Sequence, residues 1–216
     1  MKRFVLLSVL IAGLVIAGSS PAEATSISFH VQVNTAALVG PNPSAPFSLD
    51  FALTDGSGTL AGPNTVFIND FTFGGGSPAG GPTLTGGASG SLASSVTLSD
   101  SASFFNELFQ QFTPGSSLGF NVTMTTNADP VSPDAFAFAI LDKNLFNLPT
   151  TGLGDSLLLA NITPGLTRAG VQAFSTTDPA GVSVSVAAVP APEPATLLLV
   201  GTGLAVAARR RRGQRT

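Results

Sequence analysis

The chain has 216 residues, a formal net charge of −3, a single histidine, and no cysteine, tryptophan or tyrosine. Without cysteine there is neither a disulfide framework nor thiol chemistry, and one histidine does not favour a zinc site. Seven of the nine basic residues lie near the two ends, so residues 25–188 hold ten acids and two bases, a net charge of −8. Such a domain has no basic surface for nucleic acid, and we expect no nucleic-acid partner.

The N-terminus has the three parts of a secretory signal peptide. Lys2 and Arg3 form a basic start, residues 4–17 are apolar, and Ala22 and Ala24 form a small-residue cleavage site. We therefore predict that residues 1–24 are a signal helix, removed during export by the Sec machinery, and that residues 25–188 are the exported domain.

Alternating apolar residues predict that this exported domain is all-β. Apolar and polar side chains alternate in most of its segments, which is typical of strands with one buried face. In residues 135–140 alanines alternate with larger apolar residues, which indicates a more deeply buried strand. Short strands joined by glycine and proline turns favour an antiparallel, jelly-roll-like β-sandwich. The predicted strands cover residues 27–33, 47–53, 66–73, 96–98, 118–124, 135–140, 157–162 and 182–186.

Two segments depart from the strand pattern. Five apolar residues recur at helical spacing after Ser99 or Asp100, either of which suits an N-cap, and they predict one short helix over an end of the sheets. Residues 74–90 contain eight glycines and two prolines, and we expect a flexible loop there. The helical residues are Phe104, Phe105, Leu108, Phe109 and Phe112.

A short string suggests a hydrolase. Residues 154–157 read Gly-Asp-Ser-Leu, which resembles the motif of the GDSL hydrolases. That family pairs the serine with a histidine close to the C-terminus, whereas His30, the only histidine here, lies far upstream of Ser156. A serine without a base is a poor nucleophile. We therefore expect a turn entering strand 157–162, with no catalytic residue and no enzyme activity.

One acidic loop suggests a metal site. Asn127, Asp129 and Asp134 offer the oxygen atoms that calcium prefers. The EF-hand pattern is absent, and Pro130 and Pro133 explain the loop without an ion. The favoured interpretation is a solvated acidic turn, so we predict no metal site and no cofactor.

The 16 phenylalanines are best interpreted as core, because most fall on apolar faces. Phe71, Phe73 and Phe146 are candidates for exposure. A carbohydrate-binding module stays open as an alternative function, although phenylalanine is a poorer sugar platform than tryptophan or tyrosine.

The last residues form three blocks in a fixed order. Pro192, Glu193 and Pro194 precede an uncharged apolar run, residues 195–208, and four arginines follow. As a helix the run spans roughly 21 Å, short of the ~30 Å hydrocarbon core, which makes a marginal transmembrane helix. The arginines favour the cytoplasmic side. An ordinary C-terminal membrane anchor also fits these residues alone. The basic cluster is Arg209, Arg210, Arg211 and Arg212.

This order of blocks, in residues 189–216, resembles the PEP-CTERM sorting signal. The resemblance implies that an exosortase, a membrane-embedded processing enzyme, recognises Pro192, Glu193 and Pro194 and removes the tail, so that membrane contact is transient. It also implies a precursor held at the inner membrane and a product at the cell surface or outside the cell, with exopolysaccharide as a candidate partner.

The functional hypothesis is therefore an exported, exosortase-processed protein of the surface or extracellular matrix, of non-enzymatic, structural or interaction type. A carbohydrate- or matrix-binding module is the alternative, and an exported hydrolase is the third possibility.

Overall fold

The computed structural model describes residues 26–60, 62–127 and 131–189. The predicted signal helix and transmembrane helix lie outside these residues, and no helix within them is long and apolar enough to cross a membrane. The strands in chain order are β1 Ser26–Asn34, β2 Phe47–Thr54, β3 Thr65–Thr72, β4 Ser77–Pro78, β5 Thr83–Thr85, β6 Ala88–Gly90, β7 Val96–Ser99, β8 Phe105–Thr113, β9 Ser117–Thr125, β10 Asp134–Leu141, β11 Leu158–Ile162, β12 Gln172–Ala173, β13 Ser175–Thr177 and β14 Ala180–Ala188. Three single 3-10 turns accompany them at Ala36–Leu38, Leu153–Asp155 and Arg168–Gly170.

The described strands form two antiparallel sheets in a sandwich-like arrangement, which confirms the all-β prediction. Sheet I has the order β13-β14-β1-β9-β3-β7-β6, and sheet II has the order β12-β11-β10-β2-β8-β4, with β5 also paired to β8. Most neighbours in space are distant in sequence, because the chain crosses repeatedly between the sheets. The finer, jelly-roll-like class stays a prediction.

The core lies between the sheets, where the alternating apolar residues meet. Phe51 and Phe138 of sheet II stack with ring centroids 5.1 Å apart. Phe120 of sheet I meets both rings edge-on, at 5.4 and 5.2 Å. Such ring pairs contribute about 0.5–1.5 kcal/mol each beyond the burial of apolar area. As predicted, β10 is deeply buried, since Ala139 and Leu141 on its second face are also buried.

The predicted helix over residues 104–112 is wrong, since this segment forms β8. The inward face of β8 carries two amides, Asn106 and Gln110, between apolar residues, while the outward face carries two phenylalanines. Apolar residues on both faces of a strand imitate helical spacing. Asp100, predicted as a cap, is instead buried at the end of β7.

Residues 74–90 are also more ordered in structure than the predicted flexible loop. They contain β4, β5 and β6, which cross from sheet II to sheet I. The buried amides of β8 hold this segment, because Asn106 Oδ1 accepts the amide of Gly87 at 2.7 Å. Gln110 Nε2 donates to the carbonyl of Gly80 at 2.9 Å.

The sandwich has two distinct ends. At the end here called the acidic end, β1 begins at Ser26 and β14 finishes at Ala188, close together because these strands are antiparallel neighbours. Asp55 and Asp100 directly follow β2 and β7 at this end, and Asp134 is the first residue of β10. The distal end carries the connections after β1 and β10, where Val39 and Phe146 are 55% and 70% exposed.

Candidate functional site

The outward surface of sheet I, here called the polar face, is made of amide and hydroxyl side chains. Each central strand of sheet I points its apolar side chains into the core, so the polar side chains of neighbouring strands form a regular grid of rows on the outward surface. In one row of the grid His30 lies opposite Asn121, which lies opposite Asn69. In the next row Ser28, Thr123 and Phe67 are neighbours.

Hydrogen bonds join the first row into a chain. His30 Nδ1 and Asn121 Oδ1 are 2.8 Å apart, so the ring donates through Nδ1. Asn121 Nδ2 then donates to Asp70 Oδ2 at 2.8 Å, and Asn69 Nδ2 donates to the same oxygen at 3.2 Å. Asp70 reaches this position because the β3–β9 register shifts there and its φ is 57°. The amides are thereby held in fixed orientations, as a binding surface requires.

Phe67 gives this face an aromatic surface. Its side chain is 40% exposed and stands two residues from Asn69 on the same side of β3. Farther along β9, beyond Asn121, Gly119 lets the side chains of Thr72 and Gln32 close over the strand, since a Cβ there would meet Thr72 Oγ1 at 2.6 Å and Gln32 Oε1 at 3.2 Å. An exposed ring beside oriented amides and a carboxylate can stack on a ligand and exchange hydrogen bonds with it.

Buried carboxylates gather at the acidic end. Asp55, Asp100 and Asp134 are at most 2% exposed. Asn64 connects two of them, because its amide N–H donates to Asp100 Oδ1 at 2.6 Å and its Nδ2 donates to Asp134 Oδ2 at 2.7 Å. Asp134 Oδ1 accepts the amide of Gly56 at 2.9 Å. The interpretation of this part of the chain as a solvated acidic turn is therefore wrong for Asp134.

The two remaining acids of this cluster differ in ionisation. Burial opposes the charge on Asp55, but hydrogen bonds from Ser57, Leu60 and Gly58 outweigh it and lower its pKa. Burial raises the pKa of Asp100 to about 7; the amide of Asn64 acts against this rise, while the carboxylates of Asp134 and Asp55 add to it.

A second pair of acids lies on the outward face of sheet II. Burial and the charge of Glu107 raise the pKa of Asp50 to about 7, and burial also raises the pKa of Glu107. Asp50 Oδ1 is buried without a hydrogen-bond donor among the described residues. In the strand register Asp50 lies opposite Phe109 and Ala139, and Glu107 lies opposite Ala52, so the directly paired residues offer neither acid a polar side chain.

The candidate residues from the sequence are not brought together as an active site. Ser156 is buried in the turn before β11, as the sequence predicted, and its carbonyl accepts the hydroxyl of Thr150 at 3.0 Å. His30 lies in sheet I on the polar face, whereas Ser156 precedes a strand of sheet II. Within the described residues, no group of three or more His, Cys, Asp or Glu side chains is arranged to hold a metal ion.

Sequence reasoning missed both the polar face and the burial of the acidic cluster. The outward position of His30 follows from strand parity, and that part is confirmed. The partners Asn121 and Asp70 come from distant strands and from a register shift, for which the sequence has no local signal. Likewise, nothing in the sequence places Asn64 beside Asp100 and Asp134.

The predicted sorting residues and both predicted cleavage residues lie outside the described part of the chain. In a comparison with protein families, residues 190–212 match the PEP-CTERM protein-sorting motif. The chain carries a PEP-CTERM sorting motif. No curated protein and no solved structure matches the chain.

The PEP-CTERM motif covers Pro192, Glu193, Pro194 and the arginine cluster that begins at Arg209. It supports an exported protein that is sorted by an exosortase-type enzyme and held transiently at the membrane before processing. The PEP-CTERM match begins at residue 190, after the last strand of the sandwich, so it says nothing about the chemistry of the sandwich.

Proposed function

We propose that this chain is a non-enzymatic protein of the cell surface or extracellular matrix, exported through Sec and processed at both ends. Residues 1–24 leave as a signal peptide, the sandwich of residues 25–188 is the working part, and the tail of residues 189–216 is removed by an exosortase. The PEP-CTERM motif at residues 190–212 is the observation that carries the proposal.

Intact mass of the mature protein from its native host tests the processing. The product should lack both ends, and replacing Pro192, Glu193 and Pro194 with alanine should leave a membrane-held precursor. As a matched control, alanine at Pro41 and Pro43, two exposed prolines of the sandwich, should leave processing unchanged. A surface product that still carries the arginine cluster would contradict the proposal.

The second candidate function is carbohydrate binding, and the polar face favours it. Phe67 offers a ring for stacking, while Asn69, Asp70 and Asn121 offer oriented donors and acceptors to hydroxyl groups. The described strands of this face carry neither lysine nor arginine, which does not suit an anionic ligand. A neutral polysaccharide matches a surface of amides, hydroxyls and one ring.

Polysaccharide pull-down with variants of the polar face separates the two candidates. A binding module should lose roughly tenfold in affinity when Phe67 is replaced by alanine, and a similar amount for Asn121→Ala. Phe146→Ala is the matched control, because Phe146 is a more exposed phenylalanine at the distal end. If the wild-type protein retains no polysaccharide, the carbohydrate-binding function is excluded and the structural function remains. If Phe146→Ala loses as much affinity as Phe67→Ala, binding at the polar face is excluded.

A further inference from the structure

The strongest unassigned feature is the contact between Asp100 and Asp134 at the acidic end. Asp100 directly follows β7 of sheet I, and Asp134 is the first residue of β10 of sheet II. Asn64 holds both carboxylates through its backbone N–H at 2.6 Å and its side-chain amide at 2.7 Å. Asn64, itself 0% exposed, therefore holds both acids, and the two carboxyl groups lie within hydrogen-bonding reach of each other.

Oxygen Oδ2 of Asp100 gives an independent indication of a ligand. This atom is buried, and no N–H group or hydroxyl of the described residues donates to it. The whole residue is only 1% exposed. The charged groups that act on it are Asp134, which lies within hydrogen-bonding reach, and Asp55. Both are acids, so the charge of Asp100 is repelled and not compensated.

Buried carboxylates in this arrangement require a positive charge. Repulsion between two such groups is strong away from water, and an unpartnered buried carboxylate costs several kcal/mol. Asp55 cannot relieve it, because its oxygens already accept from Ser57, Gly58 and Leu60. Either a proton or a metal ion must supply the compensation.

We propose that Asp100 and Asp134 form a binding site for a divalent cation, and that Ca²⁺ is the ion it takes. Hard carboxylate oxygens suit Ca²⁺, and nitrogen or sulfur ligands are not part of the cluster. Ca²⁺ takes more oxygen ligands than two carboxylates supply, so water or carbonyl oxygens complete its coordination shell. A site of this low ligand charge belongs with extracellular modules, whose dissociation constants are on the order of 10⁻⁴–10⁻³ M.

Occupation of this site would join the two sheets at the acidic end, since one ligand directly follows a strand of sheet I and the other begins a strand of sheet II. Asn64 acts as a positioning residue, because it contacts both carboxylates through N–H groups and offers the ion no free oxygen. Its Oδ1 already accepts from the hydroxyl of Thr125 and the amide of Asn127, each at 2.9 Å.

Thermal unfolding of the full chain in detergent at neutral pH tests the site. Adding about 10 mM CaCl₂, well above the expected dissociation constant, should raise the wild-type melting temperature by about 5 °C relative to chelator. Asp100→Asn and Asp134→Asn should each lose this shift. Asp178→Asn should keep it, because Asp178 is an exposed acid of the same domain.

Direct Ca²⁺ titration by calorimetry, with circular dichroism to verify folding, provides a readout independent of variant stability. One saturable site should appear in the wild-type chain and disappear in folded Asp100→Asn. A wild-type melting temperature that Ca²⁺ leaves unchanged, together with a more stable Asp100→Asn variant, would mean that the pair only shares a proton, and the proposal would be wrong. Loss of the shift in Asp178→Asn as well would mean non-specific binding and would also overturn it.

Discussion

Asp50 lies in β2 and Asp55 directly follows that strand, yet their surroundings shift the pKa values of these two acids in opposite directions. Asp55 is the more buried of the two, but four donors from Ser57, Gly58 and Leu60 surround it at 2.7–3.1 Å and its pKa is lowered. Asp50 has a donor-free buried oxygen and the charge of Glu107 nearby, and its pKa is raised. Burial raises the pKa of both acids and is the largest cause at each, so the difference shows that hydrogen-bond donors decide which buried acid keeps a low pKa.

The largest effect on stability should come from disturbing the close contact between Gly56, in the turn that follows Asp55, and the backbone of Pro133. A Cβ on Gly56 would lie 2.1 Å from the carbonyl oxygen of Pro133, and backbone cannot move aside cheaply. We expect Gly56→Ala to lower the free energy of unfolding by roughly 2–4 kcal/mol in urea denaturation. Gly81→Ala is the control, since nothing lies within 4 Å of its Cβ position. Equal losses in both variants would show that the contact with Pro133 is unimportant.

Removing the Asp55 carboxylate should be nearly as costly. Asp55→Ala leaves the amides of Ser57, Gly58 and Leu60 without their acceptor, and hydrogen bonds to a charged group contribute about 1.5–3 kcal/mol. We expect a loss of about 2–3 kcal/mol at neutral pH, measured by urea denaturation. Asp55→Asn should recover part of it, because one acceptor oxygen is retained. Wild-type stability in Asp55→Ala would contradict the role of these hydrogen bonds.

Replacing Asp50 should stabilise the protein at alkaline pH, whereas replacing Asp55 destabilises it. Its folded pKa of about 7 exceeds the unfolded value of 3.8, so the folded chain binds the extra proton between these values. The contribution of Asp50 to the stability of the protein is therefore fully present below about pH 4 and is lost as the pH rises through about 7. Asp50→Asn should flatten this fall and stabilise the protein by about 1–2 kcal/mol at pH 8, as measured by urea denaturation across pH. A destabilised variant at pH 8 would show that Asp50 has a partner there.

The smallest effect should come from Glu107. Its charge is the second cause of the shift at Asp50, after burial, so Glu107→Gln should shift the midpoint of the Asp50 transition toward lower pH. We expect a gain of less than about 1 kcal/mol at pH 8. Gln111→Glu, on the same outward face of β8, provides the reverse test, because it adds a like charge to this face. An unchanged pH profile in both variants would leave burial as the sole cause.

Much of the fold was predictable because its strands bury one face each. Period-two alternation in segments such as Ser26–Asn34 and Ser117–Thr125 depends only on the neighbouring residues, so it survives in the sequence. The prediction failed at β8, where buried Asn106 and Gln110 interrupt the inward apolar face. These amides bind the backbone of Gly80, Gly87 and Leu92, so the reason for their burial is a tertiary contact that local patterns do not contain.

The candidate sites were predictable only where they are continuous in sequence. The sorting motif is one string of residues, and its recognition from the sequence is confirmed by the family match. The polar face and the Asp100–Asp134 pair assemble from strands far apart in the chain. Asn64 and Asp134 are separated by 70 positions, and only the crossing of the sheets brings them together.

The shared position of the two chain ends determines how the sandwich would be presented on a tether. Ser26 and Ala188 both lie at the acidic end, so any attachment through the tail holds the domain from that side. Strands such as β1 and β9, nine residues each, then carry the distal loops about 30 Å outward. The apolar side chains of Val39 and Phe146 would be the first part of the molecule to meet a neighbouring cell or surface.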